Sequence, residues 1–334
     1  MTLGATELML INRWQRDFPL EPRPYARVGR SAGLDEETTI ATFERLIDDG
    51  IMTRIGAVVR PHAVGASTLA AMCVPRPRLE TVAAQVSAEP LVNHNYERDH
   101  ALNLWFVVAG PDQDALTQTL ARIQRTTGLG VLALPLVRAY HLDLGFSLDG
   151  ATEREARQVQ ARAHADYSPC ADDRRVLAAI EDGLPLTARP YREVGHALDC
   201  DEADVITRIR GLAAAKIVTR MGCIVRHRSL GFTANAMAVW DVPEIIIDDV
   251  AARMIRNPRV TLCYRRQRRP PDWPYNLFCM VHAKTRGDAL AIIDDVNGVA
   301  GTSRFDHAVL FSTRCFKQRG AVFSGEGLSG GRLN

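Results

Sequence analysis

The stretch Arg-Pro-Tyr-Ala-Arg-Val-Gly at residues 23–29 returns as Arg-Pro-Tyr-Arg-Glu-Val-Gly at residues 189–195. The same offset of 166 residues relates residues 51–56 to residues 217–222. Further along the chain, Tyr-Glu-Arg at 96–98 is matched by Tyr-Arg-Arg at 264–266. A self-match that runs the length of a chain is typical of a repeated structural unit. The sequence therefore predicts a tandem duplication of one unit.

Each half has the same order of predicted elements. It opens with helices, one of which starts at a proline and one of which Asp35 or Asp201 could cap. Two β-rich runs follow at residues 51–53 and 57–60 in the first half, and they suit the hairpin of a winged helix. The remainder has the β-α-β-β-α-β order of the ferredoxin-like unit. We predict an α+β fold in which each half is a winged helix-turn-helix followed by a ferredoxin-like domain.

The predicted domain boundaries follow these units. Because a ferredoxin-like sheet carries both helices on one face, its other face is open, and two such sheets can pair and enclose something between them. The predicted segments are a winged helix-turn-helix at 1–62, a ferredoxin-like domain at 63–150, a helical linker at 151–169, a second winged helix-turn-helix at 170–228, a second ferredoxin-like domain at 229–324, and a flexible tail at 325–334.

Composition excludes several classes of protein. The 334 residues include 41 basic and 39 acidic side chains, so the net charge of +2 gives no global attraction to nucleic acid. No apolar run reaches the roughly 18 residues needed to cross a bilayer, and the N-terminal residues lack a signal-peptide pattern, so we expect a cytoplasmic protein without membrane association. The seven cysteines are scattered without Cys-x-x-Cys spacing, which argues against structural zinc and against a disulfide scaffold.

Together with the tandem arrangement, four motifs resemble the siroheme decarboxylases of the Lrp/AsnC-like family, in the fused form that joins two subunit types. The motifs are His94-x-Tyr96-x-Arg98, Asn103-Leu104-Trp105-Phe106, Leu134-Pro135-x-x-Arg138-x-Tyr140-His141-x-Asp143-x-Gly145-Phe146 and Arg314-x-Phe316-Lys317. The resemblance implies removal of two acetate carboxyl groups from siroheme, which gives 12,18-didecarboxysiroheme and CO2 in heme d1 biosynthesis. It implies a carboxy-lyase without an organic cofactor, in which the iron belongs to the substrate.

The resemblance also sets expectations about partners. Siroheme is the expected substrate, and the fused chain could form a homodimer or contact other heme d1 biosynthesis proteins. An Lrp/AsnC-like transcriptional regulator that senses a small acidic effector is the alternative, and a tetrapyrrole carrier without catalysis is a third function. The helix predicted at 35–49 carries six acids and one arginine, whereas a recognition helix needs basic residues near phosphates. The charge pattern therefore argues against DNA binding.

The basic residues suit an octacarboxylate such as siroheme. Lysine stands at only three positions, 216, 284 and 317, and every other basic residue is arginine, which binds carboxylates bidentately. Alternation at period two places His94, Tyr96 and Arg98 on one face of a strand, and the run from Tyr264 to Arg268 follows the same pattern. The expected substrate-binding residues are Arg54, Arg98, Arg138, Arg220, Tyr264, Arg266, Arg268, Arg314 and Lys317.

Decarboxylation of an acetate arm leaves electron density on the methylene carbon, which must then take up a proton. Histidine suits this proton delivery, so we expect His94 to be the donor, with Tyr96 and His141 as further catalytic residues and no protein-held metal. Axial ligation of the substrate iron is the other role open to His94 or His141. Tyr96 and Tyr264 could bond a carboxylate or merely pack.

The two halves differ at the positions expected to react. The second half has Leu262 where the first has His94, and Lys317 where the first has His141. Duplication alone would have produced two equal sites. The sequence therefore predicts that the halves do not contribute equally to the chemistry.

Overall fold

The computed structural model describes residues 3–142, 145 and 167–320. The first half contains α1 (Ala5–Arg13), α2 (Pro24–Arg30), α3 (Glu36–Asp48), β1 (Met52–Val59), β2 (Ala66–Met72), α4 (Leu79–Ala88), β3 (Val92–Arg98), β4 (Leu104–Gly110), α5 (Gln113–Thr127) and β5 (Leu132–Leu142). The second half contains α6 (Ala171–Ala179), α7 (Pro190–Leu198), α8 (Glu202–Ala214), β6 (Val218–Val225), β7 (Ala234–Trp240), α9 (Ile247–Met254), β8 (Val260–Arg266), β9 (Leu277–Ala283), α10 (Arg286–Ala300) and β10 (His307–Gln318). Most of the predicted linker and the whole predicted tail lie outside the described residues.

Local sequence signals explain several element boundaries. Helix α3 begins where Asp35 accepts a hydrogen bond from the Thr38 amide at 2.7 Å, as the sequence predicts. The matched residue Asp201 precedes α8 but makes no such side-chain bond. Helices α5 and α10 both end at a glycine in the left-handed region, Gly128 at φ 67° and Gly301 at φ 68°. None of the helices in the described ranges is long and apolar enough to cross a membrane.

The two helix-turn-helix units share one hydrophobic core. The Tyr25 hydroxyl of the first half donates to the Pro185 carbonyl of the second at 3.0 Å. The matched Tyr191 hydroxyl donates back to the Pro19 carbonyl at 2.9 Å. Both tyrosine side chains are fully buried in a cluster that contains residues of both halves. The repeated Arg-Pro-Tyr motif therefore holds the two units against each other.

The prediction of a hairpin wing within each half is wrong. Residues 52–59 form a single strand, β1, and it pairs antiparallel with β6 of the other half. Strand β1 runs through the residues between the two predicted β-rich runs, so the chain has no turn at the expected place. Gly56 of β1 lies opposite Gly222 of β6. A Cβ at Gly222 would stand 2.4 Å from the carbonyl oxygen of Trp14, so this position of β6 tolerates only glycine.

The two ferredoxin-like sheets join edge to edge into a closed eight-stranded barrel. Its strand order is β10-β3-β4-β2-β5-β8-β9-β7, with β7 paired back to β10. The last strand of each half bends across into the other half, so that β5 pairs with β8 and β10 pairs with β3. Helices α4, α5, α9 and α10 cover the outside through two separate apolar clusters. The barrel interior is therefore shared by both halves, and the pairing of the two sheets is confirmed.

The two ends of the barrel differ. Aromatic residues fill the end at the β3–β4 and β8–β9 connections, where the Trp105 and Trp273 rings lie 5.0 Å apart and Tyr275 and Phe278 pack on Trp273. Trp273 belongs to a segment present only in the second half, and it is 1% exposed. The opposite end lies beneath the β1–β6 sheet, to which the chain connects through β2 and β7. The end beneath the β1–β6 sheet, called here the barrel mouth, is therefore the one that these aromatic side chains do not fill.

Candidate functional site

On strand β3, the named residues of the His94-x-Tyr96-x-Arg98 motif face the barrel interior. Its alternate residues Asn95 and Glu97 face outward, where the Asn95 amide donates to a carbonyl of α4 at 3.0 Å and Glu97 forms an ion pair. His94, Tyr96 and Arg98 consequently face the interior. The His94 and Tyr96 rings are stacked with their centroids 6.1 Å apart. The predicted alternation on this strand is confirmed.

His94 is held as a neutral imidazole. Burial, followed by the positive charge of Arg54, lowers its pKa from 6.5 to about 4. Its Nδ1 atom is buried and has no hydrogen-bond partner among the described residues. An unpartnered buried nitrogen is costly unless a ligand or water meets it. His94 therefore has both the free atom and the protonation state that a ligand-facing imidazole needs.

Tyr96 and Arg98 are the next two residues of β3 that face the interior. Burial, and then the Cys315 side chain to which its hydroxyl donates, raise the pKa of Tyr96, so it is a neutral donor at physiological pH. Burial lowers the pKa of Arg98 to about 10, which leaves it charged near neutrality. Its Nη1 donates to the Leu310 carbonyl of β10 at 3.0 Å, while its buried Nε has no partner in the described chain.

Sequence reasoning missed His282 on β9. Its Nδ1 lies 3.0 Å from the Thr261 hydroxyl, which donates its own proton to the Met280 carbonyl at 3.0 Å. The hydroxyl oxygen must therefore accept from Nδ1–H, and Nε2 accepts from the Asn235 amide at 3.0 Å. Burial, then His227 and Arg98, lower the pKa of His282 to about 3. Period-two counting from the barrel residues of β9 would have placed it inside.

The interior residues of four neighbouring strands form what we call the histidine wall. The strands are β9, β7, β10 and β3, which are consecutive in the barrel. The wall consists of His94, Tyr96, Arg98, Asn235, His282 and Ser312. His227, in the turn before β7, stands at its rim with its ring 5.8 Å from that of His282.

The matched strands β4, β2, β5 and β8 form the opposite side, here called the leucine wall. It consists of Ser67, Ala109, Leu136, Leu262, Tyr264 and Arg266. Burial lowers the pKa of Arg266 to about 10, and its guanidinium lies 5.2 Å from the centre of the Tyr264 ring. Arg266 Nη1 donates to the Leu134 carbonyl at 2.8 Å, which mirrors the bond from Arg98 to Leu310.

Two predicted arginines lie on the β1–β6 sheet that covers the barrel mouth. Arg54 is partly buried on β1, and burial lowers its pKa while the charges of Asp182 and Glu181 oppose that shift. Arg220 lies at the matched position on β6, with its guanidinium against Gly145, where a Cβ would stand 2.6 Å away. The sheet thus carries a guanidinium from each half toward the barrel.

Three further predicted arginines lie neither on a wall nor on the β1–β6 sheet. Arg138 and Arg314 are half-exposed on the outer side of the last strands, and they form ion pairs with Asp248 and Glu80. Arg268 falls beyond the end of β8 and is bound by Asp241, so the predicted alternation with Tyr264 and Arg266 stops at Arg266. For Arg138 and Arg314 the physical reason is that each last strand shifts register just before the arginine, between Leu136 and Arg138 and between Ser312 and Arg314.

Lys317 and His141 are also away from the histidine wall. The Lys317 ammonium donates to the Ser87 carbonyl at 2.6 Å and to the Glu89 carbonyl at 3.1 Å, where it satisfies the carboxyl end of α4. His141 is partly buried on β5, three strands from β3 in the barrel order. The strand order therefore places His141 on a different side of the barrel from His94.

The Asn-Leu motif serves the fold. The Asn103 side chain both donates to the Val74 carbonyl at 2.8 Å and accepts from the Val74 amide at 2.9 Å. The matched Asn276 makes the same two bonds to Val242, at 2.9 Å each. These amides fix the chain where it leaves β2 and β7, so the repeat of this motif reflects the architecture of each half.

Comparison with family models matches all four units. The AsnC-like ligand-binding domain matches residues 63–141 and 229–317. The siroheme decarboxylase NirDL-like helix-turn-helix domain matches residues 7–52 and 173–218. The matches cover both helix-turn-helix units and both barrel halves.

Known proteins match the whole chain or one half of it. A siroheme decarboxylase NirDL subunit of Paracoccus denitrificans is 46% identical over 325 residues, which is 97% of this chain and 99% of that protein. A siroheme decarboxylase of Hydrogenobacter thermophilus is 32% identical over 91% of this chain and 90% of its own length. The separate NirD subunit of Stutzerimonas stutzeri is 45% identical over 44% of this chain and 97% of its own length.

A solved structure extends the likeness to three dimensions. A crystal structure of the siroheme decarboxylase NirDL in co-complex with an iron-uroporphyrin III analogue has a TM-score of 0.66 and 29% identity to this chain. The match covers 95% of each chain.

Proposed function

We propose that this chain, which belongs to the NirDL-type siroheme decarboxylase family, removes two acetate carboxyl groups from siroheme at the barrel mouth and forms 12,18-didecarboxysiroheme for heme d1 biosynthesis. The family relatives are decarboxylases by name, and one relative's crystal structure contains an iron-uroporphyrin III analogue. The observation that carries the proposal here is the histidine wall, where His94, Tyr96 and Arg98 face a shared interior beneath Arg54.

The interior suits a ring that is apolar with charged edges. Leu69 and Met280 are partly buried apolar residues of the barrel interior, and they would contact the macrocycle. The guanidiniums of Arg98 and Arg266 are buried, and each has an Nε without a partner among the described residues. A carboxylate of the substrate would meet those donors with charge-assisted hydrogen bonds.

The reaction needs one proton for each carboxyl group lost. The bond between the methylene carbon and the carboxyl carbon breaks, CO2 leaves, and the electron pair stays on the methylene carbon, where the conjugated ring delocalises it. A proton then adds to that carbon, so R–CH2–COO⁻ and H⁺ give R–CH3 and CO2. We assign the proton to His94, with Tyr96 as the adjacent hydrogen-bond donor.

The low pKa of His94 means that the resting protein does not carry this proton. Its pKa of about 4 results from burial and from Arg54, and a substrate carboxylate at Arg54 would offset the second cause. Binding of an anionic substrate should therefore raise the pKa of His94 and recruit a proton from solvent. A neutral imidazole would instead favour ligation of the substrate iron, so the two roles of His94 predict opposite protonation states.

The direct test is anaerobic incubation of the purified protein with siroheme, followed by mass analysis of the tetrapyrrole. We expect loss of two CO2, with a His94→Ala protein as the matched control that binds siroheme without turnover. Recovery of intact siroheme from the wild-type reaction, under conditions where binding is saturated, would contradict the proposal.

The regulator alternative has little support from charge. On α3 the residues Glu36, Glu37 and Glu44 stand beside the single Arg45, and Arg45 is itself paired with Glu7. Because the two helix-turn-helix units share one core, they cannot separate to follow DNA independently. We expect no sequence-specific duplex binding in a gel-shift assay at physiological salt. Nanomolar binding that resists competitor DNA would favour the regulator.

A further inference from the structure

We propose that the chain has a single decarboxylation centre, on the histidine wall, and that both acetate groups are processed there in turn. The proposal rests on the function proposed above. It assigns His282, Asn235 and Ser312 of the second half as positioning residues for the chemistry of His94 in the first half.

The first observation is where the unsatisfied polar atoms lie. Four buried atoms of the histidine wall have no hydrogen-bond partner among the described residues: His94 Nδ1, Arg98 Nε, Asn235 Oδ1 and Ser312 Oγ. On the leucine wall the corresponding set is Arg266 Nε alone, within the same described ranges. Buried polar atoms are nearly always satisfied in folded proteins, so such a concentration indicates a surface built to receive a polar ligand.

The second observation is the identity of the matched residues. In the leucine wall, Leu262 takes the place of His94, Leu136 that of Ser312, and Ala109 that of His282. A leucine or alanine side chain has no proton to give and no lone pair for iron. Partial burial, and then the charge of Arg266, lower the pKa of His62. This residue is exposed in the loop after β1 and is not part of the leucine wall. The leucine wall therefore lacks a buried proton donor of the histidine type.

The third observation is that residues of the second half lie around the proposed reaction centre of the first half. Thr261 and the Met280 carbonyl fix the His282 tautomer, so His282 Nε2 takes an amide proton of Asn235. This bond orients the Asn235 amide and leaves its Oδ1 without a partner in the described chain. Ser312 lies directly opposite Arg98 on the adjoining strand. The residues around Arg98 thus come from both halves, which explains why the fused architecture needs both.

A single centre has a kinetic consequence. After the first CO2 leaves, the remaining reactive acetate lies at another edge of the ring, away from His94. The mono-decarboxylated tetrapyrrole must therefore leave, or turn at the barrel mouth, before the second step. Both steps then depend on the same residues, whereas two centres would make each step depend on its own wall.

The experiment measures the two steps separately, by mass analysis of mono- and di-decarboxylated products over an anaerobic time course. Each variant installs the residue that the other half carries at the matched position: His94→Leu, His282→Ala and Asn235→Ser. These residue types are already accommodated at matched positions of this barrel, and circular dichroism and siroheme titration verify that each protein folds and binds. The control is Leu262→Ala, on the leucine wall.

We expect His94→Leu to slow both steps by about 100-fold or more, as for loss of a general acid. His282→Ala and Asn235→Ser should slow both steps by one common factor through kcat, with KM for siroheme changed less. Leu262→Ala should leave the ratio of the two rates unaltered. If His94→Leu forms the mono-decarboxylated product at the wild-type rate and stops there, or if Leu262→Ala blocks only one step, the chain has two centres. If the wild-type protein releases no CO2, the proposed function itself fails.

Discussion

The histidine wall and the leucine wall are built from the same duplicated strands, yet only some of their residues match. Tyr96 and Arg98 on one wall correspond to Tyr264 and Arg266 on the other. Each arginine donates to a backbone carbonyl of the opposite half, so this pair of bonds ties the two halves together. His94, by contrast, has no matching imidazole. The repeated arginines therefore join the two halves and leave one donor each for a ligand, and the unmatched residues are where the two walls differ in chemistry.

The largest expected effect comes from removing the unmatched imidazole. If His94 donates the proton, His94→Ala should still bind siroheme and lose about two or more orders of magnitude in turnover. The measurement is kcat for siroheme under anaerobic conditions. The affinity for siroheme is measured separately by absorbance titration. Near-wild-type turnover together with an unaltered spectrum of the complex would assign His94 to strand packing.

The same variant distinguishes the proton donor from the iron ligand. Loss of an axial ligand would shift the Soret band of the bound siroheme, and turnover of an iron-free substrate would then be normal. Loss of a proton donor would leave the Soret band in place and slow both substrates equally.

The next effect separates arginines inside the barrel from those outside it. Arg98 lies on the histidine wall, whereas Arg314 is half-exposed and paired with Glu80. Arg98→Gln should weaken siroheme binding by about 1.5–3 kcal/mol, the range for a hydrogen bond to a charged group. Arg314→Gln should change binding by less than about 0.5 kcal/mol, because exposed ion pairs contribute little. Equal losses in the two titrations would mean that the outer face binds substrate.

The smallest effect concerns stability in acid. Burial lowers the pKa of His94 to about 4 and that of His282 to about 3, while an unfolded chain titrates near 6.5. The unfolded state therefore binds more protons below pH 6.5, and stability conferred by these groups is lost as the pH falls from about 6.5 toward 4. Urea unfolding gives the free energy of unfolding at pH 7 and at pH 4.5. Between these two pH values it should fall by about 1–3 kcal/mol less for His282→Ala than for the wild type. Parallel losses would indicate that His282 titrates normally.

Most of the fold could be predicted because its signals are local. Short stretches of sequence are enough to predict the alternation on β3, the helix cap at Asp35 and the repeat itself. The pairing of β1 with β6 was not predictable from local pattern, since the partner lies in the other half of the chain. A register shift explains why Arg138 was expected in the site, because the side of β5 that faces the interior changes after Leu136. His282, by contrast, follows the plain alternation of β9 and could have been found from the sequence.

The most direct test of the difference between the walls is to move the imidazole. A double variant with His94→Leu and Leu262→His carries the same residues on exchanged walls, so composition and total burial change little. We predict that it binds siroheme and remains at least about 100-fold below wild-type turnover, because the leucine wall lacks the partners that surround His94. Recovery of decarboxylation to near the wild-type rate would contradict the account and show that the two walls are equivalent scaffolds for the reaction.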